Sequence, residues 1–295
     1  MKKKNIVSFI ISFILMISII LTSFVVFFRV TLTNENYYND ILNKNKTVDK
    51  IYQNINDGMN YALISNFYPG LIENEIVSKE EINNHLQRSI LNLRDYFIGE
   101  KKEIPAIDIS EYKIKIKTEI NKYIEENKVM LNAEDTSKFQ NIEDTCSELI
   151  NTELEVVDYN ELSKSDMGMK IQNVGSFMNS NKLLMTLFSI NIILIGILFF
   201  LWKERIHRAC SWTGYSFMSS GILYVLTFLS GYISKFYEHP AVYSDHLKDN
   251  IISIIDGYFK NLTITGIILI IVGILLMIVY WYHLYTVNQK IKNRY

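Results

Sequence analysis

Long apolar runs alternate with charged stretches along the 295-residue chain. The runs are NIVSFIISFILMISIILTSFVVFF (Asn5 to Phe28), LLMTLFSINIILIGILFFLW (Leu183 to Trp202) and GYSFMSSGILYVLTFLSGYI (Gly214 to Ile233). The fourth falls within DNIISIIDGYFKNLTITGIILIIVGILLMIVYW (Asp249 to Trp281). About 20 apolar residues in a helix cross a hydrocarbon core of about 30 Å. A helix apolar on all sides is rarely needed in a soluble core. The pattern predicts four transmembrane helices.

Between the first two runs the pattern changes to one-sided stripes. Tyr38, Ile41, Val48, Ile51, Ile55, Met59 and Ala62 recur at steps of three, four and seven, which is one face of a helix. A YPG break follows at Tyr68–Gly70. Ser78 and Glu81 then form the sequence signature of a capping box. Ile82, Leu86, Ile90, Leu93 and Phe97 continue to a stop at Gly99. KIKIK alternates as a strand would. Ile109, Tyr112, Ile116, Ile120 and Tyr123 carry a longer helical pattern, and helix is the preferred reading. Phe139, Ile142, Cys146, Leu149 and Leu154 mark a last helix. One-sided helices need partners, so a small bundle is expected. The fold class is therefore an all-α integral membrane protein, with four transmembrane helices and a helical extracytoplasmic domain between spans 1 and 2.

Charge sets the expected orientation. Lys and Arg gather on the cytoplasmic side of short loops. Lys2, Lys3 and Lys4, the loop bearing Lys203, Arg205 and Arg208, and the tail with Lys290, Lys292 and Arg294 share one side if both termini are cytoplasmic. Trp202, Tyr280, Trp281 and Tyr282 then sit at that interface, where amphipathic rings prefer to lie. Arg29 can snorkel outward from the far end of span 1. The layout is: 1–29 cytoplasmic N-terminus and signal-anchor; 30–182 outer domain; 183–202 span 2; 203–213 inner loop. Then come 214–233 span 3; 234–261 outer loop with an amphipathic helix; 262–282 span 4; and 283–295 tail. The localisation implied is multi-pass in the cytoplasmic membrane. The first run exceeds the about 7–15 residues of a cleaved signal, and no small-x-small site follows it, so an uncleaved anchor is preferred over a cleaved signal.

Segment 30–182 holds 17 Lys/Arg against 26 Asp/Glu. The segment is acidic, and phosphate binding needs a basic face, so nucleic acid is not an expected partner. Cys146 and Cys210 fall on opposite sides of the membrane and in no metal-type spacing, so they read as isolated thiols. Cys146 has the alternative of an intermolecular bridge.

Candidate chemistry is sparse. His239, Asp245 and His246, with Asp249, lie in YEHPAVYSDHLKD and are the only candidates for a metal. Their spacing matches no established motif, and a solvated polar loop is the plainer reading. His207 and Cys210 lack a third group to orient a nucleophile–base pair. His85 and His283 have no obvious partner. There is no H-E-x-x-H, G-x-S-x-G or phosphate-binding glycine loop, and no cofactor is expected. Asn191 is the central polar residue of span 2 and reads as interhelical hydrogen-bond glue. Ser216, Ser220, Thr227 and Gly231 share a face of span 3 suited to close packing, which predicts that span 3 is the centre of the bundle or a dimer contact. Ile251, Ile255, Tyr258 and Leu262 form one face of an amphipathic helix, with Asp256 and Lys260 at i, i+4 as a surface ion pair would be. That keeps Asp256 out of the bilayer, where a charge costs at least about 2.5 kcal/mol.

The Asn/Lys/Ile-rich usage of ILNKNKTVDKIYQNIND and INIILIGILFF, together with this layout, resembles uncharacterised four-span membrane proteins of low-GC Gram-positive, clostridial-type bacteria. The resemblance implies a cytoplasmic membrane facing a cell wall and carries over no functional residue. The expectation is a non-enzymatic protein in the lipid bilayer. Its outer domain would bind a protein, peptide or envelope partner, another membrane protein or a second copy. The alternatives are a subunit of an oligomeric transporter or channel, and last a metal-dependent membrane hydrolase.

Overall fold

The computed structural model describes every residue except 1, 106, 130–131, 156–161, 163, 239–244 and 293–295. At 2, 245–246, 287–288 and 290–292 it describes the backbone alone. The described residues are helical, with no strand. They fall into two units: 1–34, 177–240 and 252–295 in one, 35–176 and 241–251 in the other.

The first unit holds four helices long and apolar enough to cross a membrane. Helix α1 spans Lys2–Phe27 and continues through a π turn, Phe28–Leu32. Later in the chain come α8 (Asn181–Leu201), α9 (Ile206–Tyr224), a second π turn (Val225–Leu229), α10 (Ser230–Ser234) and α11 (Asp245–Lys292). Side-chain bonds fix their directions. Ser12 pairs with Ser216, Ser220 donates to the Met16 carbonyl and Tyr224 to the Ile20 carbonyl; each pair is 204 residues apart, so α1 and α9 run parallel. Trp202 donates to Ser8 and Asn191 to Thr22, so α8 is antiparallel to α1. The N-terminal ends of α1 and α9 and the C-terminal end of α8 therefore lie together. This brings the Lys3–Lys4 end beside Lys203, Arg205 and Arg208.

Every one of those interhelical bonds lands on α1. A third of its most apolar stretch is buried (33%), against 28% for the α9 stretch and 6% for α8. Span 1 takes up the side-chain bonds of spans 2 and 3, while span 3, expected at the centre of the bundle or at a dimer contact, packs on span 1 through Ser216 and Ser220 and on span 4 through Gly214 and Gly221. The cause is a buried stripe of small polar side chains on α1 (Ser8, Ser12, Ser18 and Thr22) to which neighbours can approach and donate. Span 3 also begins earlier than its apolar run. Helix α9 starts at Ile206, so only a short turn joins it to α8, and His207, Cys210 and Trp212 belong to the helix.

The second unit comprises α2 (Glu35–Lys44), α3 (Thr47–Ser65), α4 (Lys79–Phe97), α5 (Ser110–Glu126) and α6 (Ala133–Leu154). It also takes in most of α7 (Asp166–Asn179) and the start of α11. Its core is the meeting of the predicted stripes. Ile51, Ile55 and Met59 of α3 pack with Ile82 and Leu86 of α4, Tyr112, Ile116 and Ile120 of α5, and Phe139, Ile142, Cys146, Ile150 and Leu154 of α6. The KIKIK segment is helix, because its longer period places Tyr112, Ile116 and Ile120 inside. Ser78 and Glu81 form the full capping box at the start of α4. Burial pushes the Cys146 thiol up to about 11 and seals it in the core, which removes it from any bridge to a second molecule.

Candidate functional site

Each unit has a concave region lined in part by side-chain amides, and the apolar unit has a further one of about 340 Å³ where Ser12, Ser216 and Ser219 lie among aromatic and apolar side chains.

In the second unit a cleft of about 240 Å³ opens between α3 and the segment joining α3 to α4. That segment leaves α3 through left-handed backbone at Phe67 (φ 68°) and Gly70 (φ 81°). Leu71, Ile76 and Val77 then peg it into the core, each at most 4% exposed. The pegs leave Glu73, Asn74 and Glu75 outside, facing Asn56 and Asn60 of α3. Beneath lies Glu119 of α5, only 7% exposed. Its carboxylate accepts the backbone N–H groups of Glu73 and Asn74, each at 3.3 Å, and the Asn74 side-chain amide at 2.7 Å. Burial pushes the Glu119 carboxyl up. The Asn74 amide and the two backbone donors outweigh it and hold the group below its ordinary value of 4.5. A buried, ionised carboxylate therefore fixes the backbone of the cleft's rim.

The charges at the rim are already answered. Lys122 lies 3.3 Å from Glu73, and the nearby Glu75 carboxylate raises the Tyr52 pKa. Lys79 sits 5.2 Å over the Tyr52 ring and pairs with Asp49 at 2.5 Å. Ile72, with the edges of the nearly buried Met59, Leu63 and Ile76, gives a narrow apolar strip at the floor. Sequence reasoning passed over this site. The clue was a polar run, ENE, set between apolar pegs, beside Glu119 on a helix face that otherwise reads apolar.

In the first unit a cleft of about 460 Å³ lies among α1, α8, α9 and α11. Its walls are mostly apolar, with Thr22, Ser23, Thr31, Asn191, Asn261 and Thr265 as polar exceptions. Asn191 donates to the Thr22 hydroxyl at 2.8 Å, and Thr22 passes its own proton to the Ser18 carbonyl at 2.7 Å. The Asn191 Oδ1 is left buried without a partner. Asn191 thus ties α8 to α1 through an interhelical hydrogen bond.

The predicted face of span 3 divides. Ser216 and Ser220 are 2% and 0% exposed and bind α1. Thr227 is exposed and makes no part of the contact with α1. It lies in the π turn Val225–Leu229, whose wider turn rotates later residues out of the register that a helical period predicts. Gly231 lies past the π turn, against the Phe259 ring. A different pair of glycines makes the closest approach. A Cβ on Gly221 would meet the Gly266 carbonyl at 2.5 Å, and one on Gly214 would meet the Gly273 carbonyl at 2.9 Å. The contacts are reciprocal, at 2.8 Å in each case. Spans 3 and 4 cross antiparallel on two glycines each, seven residues apart.

Among the candidate metal ligands, His239 lies outside the described residues, as do the side chains of Asp245 and His246. Among the described residues no group of three or more His, Cys, Asp or Glu is arranged to hold a metal. Asp249 pairs with Lys50 at 2.6 Å. Next to it Asn250, 6% exposed, accepts from Asn45 at 2.9 Å and from Thr47 at 3.0 Å. Asp256 has a different partner from the expected Lys260. It accepts a hydrogen bond from the Tyr237 hydroxyl. Burial and then that carboxylate push the Tyr237 phenol far above its usual value. The amphipathic stretch around it is no separate helix. It is continuous with span 4 in α11, and Tyr258 meets the Phe27 ring edge-on at 5.8 Å.

The remaining histidines find partners. His85 lies 2.9 Å from the Tyr112 hydroxyl. His207 stacks on His283 with ring centroids 4.0 Å apart. Arg29 does more than snorkel: it binds the Met178 and Asn179 carbonyls and, at 2.9 Å, Asn181 Oδ1, joining the end of α7 to the start of α8.

The class these features define is an all-helical chain with four helices long and apolar enough to cross a membrane, joined to a helical unit with its own core. No family model matches the chain, and neither a curated protein nor a solved structure matches it.

Proposed function

We propose that this is a non-enzymatic multi-pass protein of the cytoplasmic membrane whose helical unit, residues 30–182, faces outward and binds a protein, peptide or envelope partner. The observation that carries this reading is the Glu119-braced cleft. Burying a carboxylate is costly unless its lone pairs are satisfied. Here the whole satisfaction comes from the rim of a surface cleft, so a buried charge is spent on holding polar groups outward. The orientation rests on the basic residues gathered at the Lys3–Lys4 end of the apolar unit. The bonds that α1 receives from α8 and α9 support its retention as an anchor.

The test uses the full-length protein in intact cells. A photo-crosslinking residue at Asn60 should capture a partner that the same residue at Gln87, an exposed position on α4, does not. Cysteine at Lys102 should react with a membrane-impermeant maleimide, and cysteine at Lys203 should not. Reversed labelling, or equal capture at both positions, would overturn the reading.

The apolar unit's own cleft favours a second reading, a subunit of an oligomeric transporter or channel, because it places Thr22, Asn191, Asn261 and Thr265 together between spans. Solute flux in liposomes that Asn191→Leu abolishes would support it. Absence of flux would dismiss it.

A further inference from the structure

We propose that the cleft rimmed by Tyr52, Asn56, Asn60, Glu73, Asn74 and Glu75 binds the ring of a neutral sugar. The inference rests on the outward-facing reading of this unit and names its ligand class.

Size is the first argument. About 240 Å³ is below the roughly 300–1,000 Å³ of pockets for drug-sized ligands, so the cleft takes one ring, not a folded segment. Donor and acceptor types are the second. A sugar ring presents adjacent hydroxyls, each a donor and an acceptor. Three carboxamides offer both functions, and two carboxylates accept twice each. The ring's C–H face is apolar, and Ile72, with the edges of the nearly buried Met59, Leu63 and Ile76, gives a narrow apolar strip beneath that rim.

Charge is the third argument, and it excludes the nearest competitor. Two carboxylates among amide oxygens could suggest a divalent cation or a basic peptide. Glu73 already faces Lys122 at 3.3 Å, and Glu75 shares its side of the cleft with Tyr52 and has Lys79 close by. A cation entering here would displace those partners and meet two ammonium groups. A neutral polyol needs no such exchange, because each carboxylate retains free lone pairs. Pre-organisation is the fourth. Asn74 is held by Glu119 at 2.7 Å and Asn56 donates to the Tyr52 carbonyl at 2.9 Å, so these rim amides are fixed before a ligand arrives. Fixed groups bind without the cost of ordering them.

The experiment uses the full chain in lipid nanodiscs, because alkyl-glycoside detergents themselves carry sugar rings. Glucose, galactose and N-acetylglucosamine are added singly, and saturation transfer from protein to ring protons is read by NMR. Transfer to at least one sugar is expected. Asn56→Ala and Asn60→Ala, at positions outside the core, should each weaken it about tenfold, as loss of a direct hydrogen bond does. Gln87→Ala should leave it unchanged. No transfer from any of the three sugars, or transfer that survives the Asn56→Ala/Asn60→Ala double variant, overturns the proposal. So does calcium or a Lys-rich peptide binding there in place of sugar. In these cases crosslinking at Asn60 still reports on the outward-binding reading. Only a failure of both experiments removes that reading too.

Discussion

The two units are built from similar helices and held by different forces. In the helical unit, Ile116, Ile142, Ile150 and Leu154 are wholly buried, and ion pairs and caps lie on the outside. In the apolar unit, large side chains such as Phe9, Phe13, Ile192 and Phe200 point outward. Its interior joins an apolar cluster around Leu15, Ile19, Phe27, Leu198, Leu262 and Leu269 to close contacts made by glycine, serine and threonine. The inversion follows from the solvent each unit suits. In water, burying leucine is the main driving force. Among lipid chains it gains little, and helices associate through close backbone approach and interhelical hydrogen bonds. The difference teaches where each unit is fragile: large residues in one, small residues in the other.

The sharpest way to break this comparison is to enlarge a glycine. Gly221→Leu would drive a side chain into the Gly266 backbone, where a Cβ alone already meets an oxygen at 2.5 Å. Backbone cannot move aside as a side chain can, so the loss should exceed about 3 kcal/mol, the upper range for overpacking. Gly196 of α8 has nothing within 4 Å of its Cβ position, and Gly196→Leu should be near neutral. Thermal unfolding in nanodiscs separates the two. Equal effects would mean that spans 3 and 4 do not cross on these glycines.

Next in size is the opposite change, large to small. Ile142→Ala, in the core of the helical unit, should cost about 3 kcal/mol through lost transfer and a cavity. Leu15→Ala, fully buried in the apolar unit, loses packing but little transfer energy. It should cost about half as much if the lipid reading is right. Hydrogen exchange read separately for each unit provides the measurement. A Leu15→Ala cost as large as that of Ile142→Ala would argue that the apolar unit is not lipid-bathed.

These contrasts also explain what could be read from sequence. Ile51, Ile55 and Met59 on α3, and Tyr112, Ile116 and Ile120 on α5, were legible because water enforces one-sided burial and therefore a period. The capping box was legible because its chemistry is local. Where lipid surrounds a helix, apolar residues carry no such pattern, so the small polar stripe of α1 did not stand out. The equal spacing of Gly214–Gly221 and Gly266–Gly273 was a usable signal that went unread. Thr227 could not be placed, because a π turn has no period to betray it. Of the rim cleft, only the apolar pegs were visible. Glu119 is a charge on a buried face, and its partners are backbone groups set by the fold.

Acid should separate the units too. Glu119 and Asp95 both hold their protons less tightly in the fold than their ordinary values of 4.5 and 3.8. Burial opposes this in each case and is outweighed, at Asp95 by Arg94 and Lys101. A depressed carboxyl contributes stability above its unfolded value and loses it as pH falls through the folded one. His85 is also depressed, mainly by burial and then by Arg88, so its cost of charging begins as pH falls below 6.5. The helical unit should therefore weaken in two windows, first from about pH 6.5 downward and then below about 4.5. Glu119→Gln should flatten the lower window and His85→Gln the upper, with hydrogen exchange of residues 35–176 as the readout. A pH-independent helical unit would contradict the Glu119 brace.

The smallest expected effect tests the other half of the comparison, the hydroxyls. Ser216 exchanges a 2.6 Å hydrogen bond with Ser12 and reaches the Ser12 carbonyl at 2.8 Å. Both groups are buried, so no water replaces the lost partner. Even so, bonds between helices in lipid average about 0.6 kcal/mol and rarely pass about 2, because the dissociated helices find other partners. Ser216→Ala should cost about 1 kcal/mol, and Ser12→Ala about the same. The double variant should cost less than the sum, since each removes one end of a shared bond. Ser219, one residue before the Ser220 that binds α1, serves as the nearby serine control. A fully additive double variant would show that the Ser12–Ser216 bond adds nothing to the α1–α9 contact, and that these two serines serve only to let the helices approach.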